Sequence, residues 1–164
     1  MKRESNDSIT WRESMRVKCY GKFTLNFNAS KIFPLLCPVE EYKWFPGWGC
    51  EMVFSQSGIA EKDAIFLTKE EDGIEAVQTV INYDPFKQVE FLIVKGRDSV
   101  ERLSIFLREI SKGTTELEWT TMCTAYSEIG REIAQRYNDE TFKIFLEDRK
   151  RELNYYLEHH EMIT

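Results

Sequence analysis

Histidine is the side chain that most often moves protons at neutral pH. This chain of 164 residues has two, His159 and His160, both near its end, where they read as solvated rather than catalytic. There is no G-x-S-x-G turn, and no histidine in the body of the chain to serve a serine as base, which argues against a serine hydrolase. Gly47 and Gly49 fit neither GxxxxGK nor GxGxxG, so no phosphate-cradling loop is evident. Cys19, Cys37, Cys50 and Cys123 lie far apart with no CxxC pair, the wrong spacing for a zinc knuckle. Cys19 and Cys123 fall on apolar phases and read as small buried hydrophobes, while Cys37 precedes Pro38 at a helix end. Glu70, Glu71 and Asp72 form an acidic turn that reads as a solvated hairpin tip. No metal and no cofactor is expected.

The polar groups that remain are hydroxyls, phenols and an amide on strand-like segments. Leu117, Trp119, Thr121 and Cys123 share one phase of the segment 115–125. If Leu117 and Trp119 face a core, Thr121 is a hydroxyl in apolar surroundings that needs a partner, from a neighbouring backbone or from a ligand. Gln78 lies in a segment, 74–83, whose two phases are both partly apolar, so its inward face stays unassigned. Tyr83 and Tyr137 are further phenols of the same kind. Trp44, Phe45 and Trp48 surround Pro46-Gly47, a bend set by proline's fixed φ and glycine's tolerance of positive φ. That cluster reads as core, as a lid over a cavity, or as a partner surface.

The elements that must carry these residues follow from periodicity. From Met15 to Phe27 apolar residues or glycine occupy the odd positions, a long half-buried strand. Asn28 or Ser30 caps a short helix through Leu36, with Pro34 in its first turn, and Pro38 stops it. A second short helix ends at Pro46-Gly47. Six strands follow, at 50–55, 64–68, 74–83, 88–94, 99–109 and 115–125, separated by short turns such as Asp84-Pro85 and Lys112-Gly113. No connection is long enough for a crossover helix, so the pairing is antiparallel. After Ser127 no proline interrupts the chain, and apolar residues recur mostly at three- and four-residue steps, except for a longer step before Phe142 and a charged gap before Leu153. That pattern predicts one amphipathic helix over about 128–158.

The bulk numbers set limits. A 164-residue chain reads as one domain, 14–164, behind a flexible tail, 1–13, with Trp11 as the residue that could pin it. A net charge of −6 and no clustered basic face argue against nucleic acid or an anionic membrane surface. The apolar runs are too short for stable membrane insertion. The polar start lacks the apolar core of a secretion signal, so a cytoplasmic setting with reduced thiols is expected. A homodimer is allowed.

Taken in order, "KIFPLLCPVEEYKWFPGW" (31–48), "SGIAEKDAIFLT" (57–68) and "GTTELEWTTMCTAYSEIG" (113–130) resemble the START/polyketide-cyclase (SRPBCC, helix-grip) superfamily, and in particular its uncharacterised prokaryotic members. The resemblance implies an α+β fold, a curved seven-stranded antiparallel sheet around a long C-terminal helix with two short helices after the first strand. It further implies a cavity between sheet and helix, with Trp44, Phe45 and Trp48 at its mouth or floor, Trp44 or Trp48 lining the entrance, and Gln78, Tyr83, Trp119, Thr121 and Tyr137 as cavity groups. With no body histidine and no carboxylate on an identified inward phase, the expectation is binding of a hydrophobic small molecule (a lipid, isoprenoid or aromatic metabolite), with no catalytic residue assigned. The alternatives are a cyclase/dehydratase-type enzyme and a chaperone-activator-like interaction module.

Overall fold

The computed structural model of the protein describes residues 10–69 and 73–164. The acidic turn residues Glu70, Glu71 and Asp72 and the first nine residues of the N-terminal tail lie outside the described residues. Trp11, within that tail, is 89% exposed.

Alternation governs the sheet. Strand β1 (Met15–Leu25) is followed by β2 (Cys50–Phe54), β3 (Ile65–Lys69), β4 (Glu75–Asp84), β5 (Gln88–Lys95), β6 (Ser99–Ser111) and β7 (Thr114–Ala125). They form one antiparallel sheet in the order β1-β7-β6-β5-β4-β3-β2. In β5, Val89, Phe91, Ile93 and Lys95 point inward, and in β6, Ser99, Glu101, Ile105 and Leu107 do the same. Period-two geometry sends alternate side chains to one face. It also resolves β4: Ala76, Gln78 and Val80 are the buried phase. A bulge between Val80 and Asn82 then shifts the register ahead of Tyr83.

Two short helices, α1 (Ala29–Ile32) and α2 (Pro38–Glu41), flank a 3₁₀ turn, Phe33–Leu36, and precede β2. Pro34 and Pro38 occupy opening positions of their turns, where a missing N–H costs little.

The C-terminal region departs from the single helix that the sequence pattern predicts. It is two helices, α3 (Glu128–Gln135) and α4 (Asp139–His159). The break is built by Asn138, whose side chain accepts from the Thr141 backbone N–H while the Thr141 hydroxyl accepts from the Asn138 N–H. This reciprocal cap satisfies helix-end donors and starts a new helix. The long step before Phe142 in the apolar pattern was its trace in the sequence. Helix α3 packs on β1, β6 and β7, and α4 packs along β1. No described helix is long and apolar enough to cross a membrane.

Candidate functional site

Between the inner face of the sheet, α2 and α4 lies a chamber of about 500 Å³. Its size and mostly apolar walls suit a small organic ligand. Strands supply Phe66, Phe91, Ile93, Leu103 and Trp119. Helix α4 supplies Phe142, Phe145 and Arg149 at helical spacing, and from Thr141 to Arg149 the wall runs about 12 Å. The bend segment supplies Pro38 and Glu41 from α2, and Trp44, Phe45 and Trp48 from the turns that follow, where the Trp44 and Phe45 N–H groups donate to the Glu41 carbonyl and the Trp48 N–H to that of Phe45.

Polar groups concentrate at two places on these walls. At the first, Lys95 Nζ lies 3.5 Å from Glu101 Oε2, and both side chains are more than nine-tenths buried. Tyr137 donates its hydroxyl proton to the same Oε2 at 2.7 Å, and Lys95 Nζ donates to the Tyr137 oxygen at 3.4 Å. Glu101 sits opposite Ile93 on β5, so Lys95, two residues further along, is its diagonal neighbour. Oε1 of Glu101 has no hydrogen-bond partner among the described residues.

At the second, the Arg149 guanidinium stacks 3.7 Å from the Phe45 ring centroid and 5.1 Å from that of Phe145. Its Nη2 lies 3.0 and 2.7 Å from the two oxygens of Glu152. Burial lowers the pKa of Arg149 and raises that of Glu152. Glu41 faces the same chamber. Burial pushes its carboxyl up to about 8, and the Arg149 charge offsets only part of that push. Glu41 keeps some solvent exposure, but water at a chamber wall is a poorer solvent for charge than bulk water, so the upward direction holds.

Trp119, Thr121 and Gln78 add further polar groups to the walls. Trp119 is 4% exposed, packs edge-on against Phe145 at 5.7 Å, and its Nε1 is buried with no partner among the described residues. Thr121, also buried, makes no side-chain hydrogen bond to another described residue. Gln78 donates from Nε2 to the Thr68 hydroxyl at 2.7 Å.

The expected wall residues Trp44, Trp48, Gln78, Trp119, Thr121 and Tyr137 therefore all border one chamber. Of the two entrance candidates, Trp44 is fully buried and its indole donates to the Leu35 carbonyl at 2.7 Å. Trp48 is half-buried and donates to the Pro38 carbonyl at 2.8 Å. Tyr83 is not a wall residue. The β4 bulge sends it against Phe33, with ring centroids 5.3 Å apart.

The expectation of no inward carboxylate was wrong. Glu101 and Glu41 both face the chamber, and with them Lys95 and Arg149. The signal for the first pair was present: Lys95 keeps the phase of Val89, Phe91 and Ile93, and Glu101 that of Ile105 and Leu107. The cysteines stay outside this chemistry. Cys19 and Cys123 are buried, and Cys37 Sγ accepts from the Ala60 N–H at 3.0 Å while burial pushes its thiol pKa up.

No protein-family profile matches the chain, and no curated protein matches it in sequence. Solved structures match it in fold. Truncated norcoclaurine synthase from Thalictrum flavum superposes with a TM-score of 0.68 over 93% of this chain and 100% of that one, at 12% identity. That enzyme is also known in complex with dopamine and hydroxybenzaldehyde. An uncharacterised protein from Rhizobium leguminosarum gives 0.59 at 16% identity, over 91% of this chain and 99% of that one. DynU16, a protein of the dynemicin biosynthetic locus, gives 0.60 at 16% identity over 88% of this chain, which spans about half (48%) of its length. These likenesses show the fold: an α+β helix-grip, a seven-stranded antiparallel sheet with a few short helices and a C-terminal helix.

Proposed function

We propose that the protein binds a small molecule with an apolar, partly aromatic body and at least one hydrogen-bond acceptor, held in the chamber between sheet and α4. One observation carries the reading: a chamber walled by Phe66, Phe91, Trp119, Phe142 and Phe145 also presents the Thr121 hydroxyl, which makes no side-chain hydrogen bond to another described residue. A hydroxyl facing a mostly apolar chamber needs a partner, which an acceptor on a ligand supplies. The small aromatic molecules bound by norcoclaurine synthase, on the same fold, are consistent with such contents.

Native mass spectrometry of protein purified from its own host tests this directly by looking for a co-purifying small molecule. A second test needs no natural ligand. The dye 1-anilinonaphthalene-8-sulfonate is titrated into wild type and into Leu103→Trp, which fills the chamber from the middle of β6. Wild type should bind with quenching of tryptophan emission, and the filled variant should lose most of that binding. Equal affinity for both would place the dye elsewhere and remove the support.

A second reading, an enzyme of the cyclase/dehydratase kind, draws on Glu101 and Glu41. Carboxyls at a chamber wall, one paired with a buried lysine and one with a strongly raised pKa, are a common basis for proton transfer.

A further inference from the structure

A guanidinium carries several N–H donors in a fixed fork, and the fold answers only part of that capacity at Arg149. The residue is 8% exposed and borders the chamber. Glu152, which is not among the chamber's wall residues, engages Nη2 alone. Nε is buried and meets no acceptor, and Nη1 makes no hydrogen bond to a described residue. Phe45 stacks on the cation and Phe145 lies close to it, so aromatic rings take up its flat sides. A ligand meets this group at its edge, where the donors are.

Glu41 belongs to the same corner. Phe45 donates its N–H to the Glu41 carbonyl at 2.8 Å, so one turn of chain joins the carboxyl to the ring that carries the cation. Both residues border the chamber. Burial keeps most of the Glu41 carboxyl protonated at neutral pH, and in that form it is a donor rather than an anion.

We infer that this corner receives a carboxylate on the ligand, so that the occupant is an aryl acid lying along α4 with its acidic end at Arg149. The inference rests on the chamber being a ligand site, and it adds the chemical class and the orientation. The carboxylate accepts from the guanidinium nitrogens that Glu152 leaves free and from the Glu41 O–H, and such charge-assisted bonds are the stronger kind. A planar carboxylate matches the guanidinium fork. The apolar body then passes Phe145 and Phe142 on the wall that runs from Arg149 to Thr141. The Lys95 pole offers no equal site, because Glu101 is already set against that cation. A ligand anion also explains why a charged pair is kept at Arg149 and Glu152, where an apolar pair of similar volume commonly serves stability as well.

Charge fixes the sign of the pH response. Once Glu41 loses its proton it repels the ligand carboxylate and competes for Arg149. Glu152 and Asp148 act on Arg149 from α4, and the Cys50 thiol acts on Glu41 from β2. Lys95, Glu101 and Tyr137 stand at the other pole. Glu41→Gln separates Glu41 from all of these, because it keeps a donor in place and has no charge to gain.

The test is isothermal titration of the whole protein with 2-naphthylacetate and with 2-naphthylacetamide, which has the same body and no charge. At about pH 6.5 wild type should bind the acid at least about tenfold more tightly than the amide, the difference between charge-assisted and neutral hydrogen bonds. That preference should fall several-fold by about pH 9 in wild type and hold steady in Glu41→Gln. Arg149→Met alone strands Glu152 and could unfold the chain. The second variant is therefore the paired replacement Arg149→Met with Glu152→Met, which leaves neither charge unpaired. It should still bind the amide and lose the preference for the acid. Equal affinity of wild type for acid and amide, or a preference that survives the paired replacement, overturns the inference and leaves the binding function standing. A fall with pH in Glu41→Gln as large as in wild type removes Glu41 from the site. Failure of wild type to bind either compound at several millimolar rejects the aryl-acid class, and the co-purified molecule then decides the binding function.

Discussion

Glu41 and Arg149 show how one wall can hold charge at a cost that depends on pH. Burial raises the Glu41 pKa from 4.5 to about 8, so the folded chain keeps a proton that the unfolded chain releases. Between those values the folded state binds more protons, and stability falls as pH rises through the window. Below about pH 4.5 the full benefit is present, and above about pH 8 it is gone. Glu41→Gln resembles the protonated form at every pH. Urea unfolding should therefore find it about as stable as wild type near pH 5 and about 1–2 kcal/mol more stable near pH 9, a figure reduced from the full shift because the carboxyl keeps some solvent access. A wild-type advantage at pH 9 would mean that the ionised carboxylate is well paired with Arg149. Arg149 itself is the opposite case. Arg149→Met leaves the buried Glu152 without its cation, so the loss should approach about 3–5 kcal/mol at neutral pH and shrink in acid as Glu152 takes a proton.

At the scale of elements, two glycines set how closely the helices approach the sheet. A Cβ on Gly21 would lie 2.3 Å from Leu146 Cδ1, so α4 rests directly on the β1 backbone there. Gly21→Ala should cost about 1–3 kcal/mol by overpacking, measured by chemical denaturation, and Leu146→Ala in the same chain should return part of it. A Cβ on Gly130 would lie 2.1 Å from the backbone oxygen of Asp98, which cannot turn aside as a side chain can, so Gly130→Ala should cost more than Gly21→Ala. The cap between α3 and α4 is weaker and more local. Asn138→Ala should destabilise by about 1 kcal/mol, with hydrogen exchange accelerating first in the opening turn of α4. That turn carries Thr141 and Phe142 of the chamber wall, so fraying there should also loosen ligand binding. If the exchange of that turn stayed unchanged, the break would have to be held by packing rather than by the cap.

For the whole molecule, the chamber ties ligand to stability. A cavity between sheet and helix forfeits dispersion contacts that a ligand restores. Any molecule bound only by the folded chain stabilises it by mass action, about 2.7 kcal/mol at a hundredfold excess over Kd. Thermal unfolding with saturating 1-anilinonaphthalene-8-sulfonate should rise in wild type and stay flat in Leu103→Trp. That variant should itself unfold no earlier than the empty wild type if the indole enters the chamber. A dye-dependent rise of equal size in both proteins would show a binding surface outside the chamber.

Alternation along the strands and the turn residues between them were enough to place all seven strands within one to two residues of their observed ends, because period-two burial is written residue by residue. The same local signal put Trp119 and Thr121 on one inward phase. It did not settle β4, whose two phases are both partly apolar; Gln78 is inward only because the sheet and helix close over that face. Nor did it foresee Tyr83 leaving the wall, since a bulge is decided by pairing with the next strand. The cap at Asn138 leaves only a longer step before Phe142 in the apolar period, so periodicity alone runs across the break. The polar chemistry came last. Lys95, Glu101 and Tyr137 are distant in sequence and meet only when β5 pairs with β6 and the helices close over them. The sequence alone holds the phase of each charge. Whether two such charges meet inside a chamber depends on the register and on the helix that covers it, and those are properties of the assembled fold.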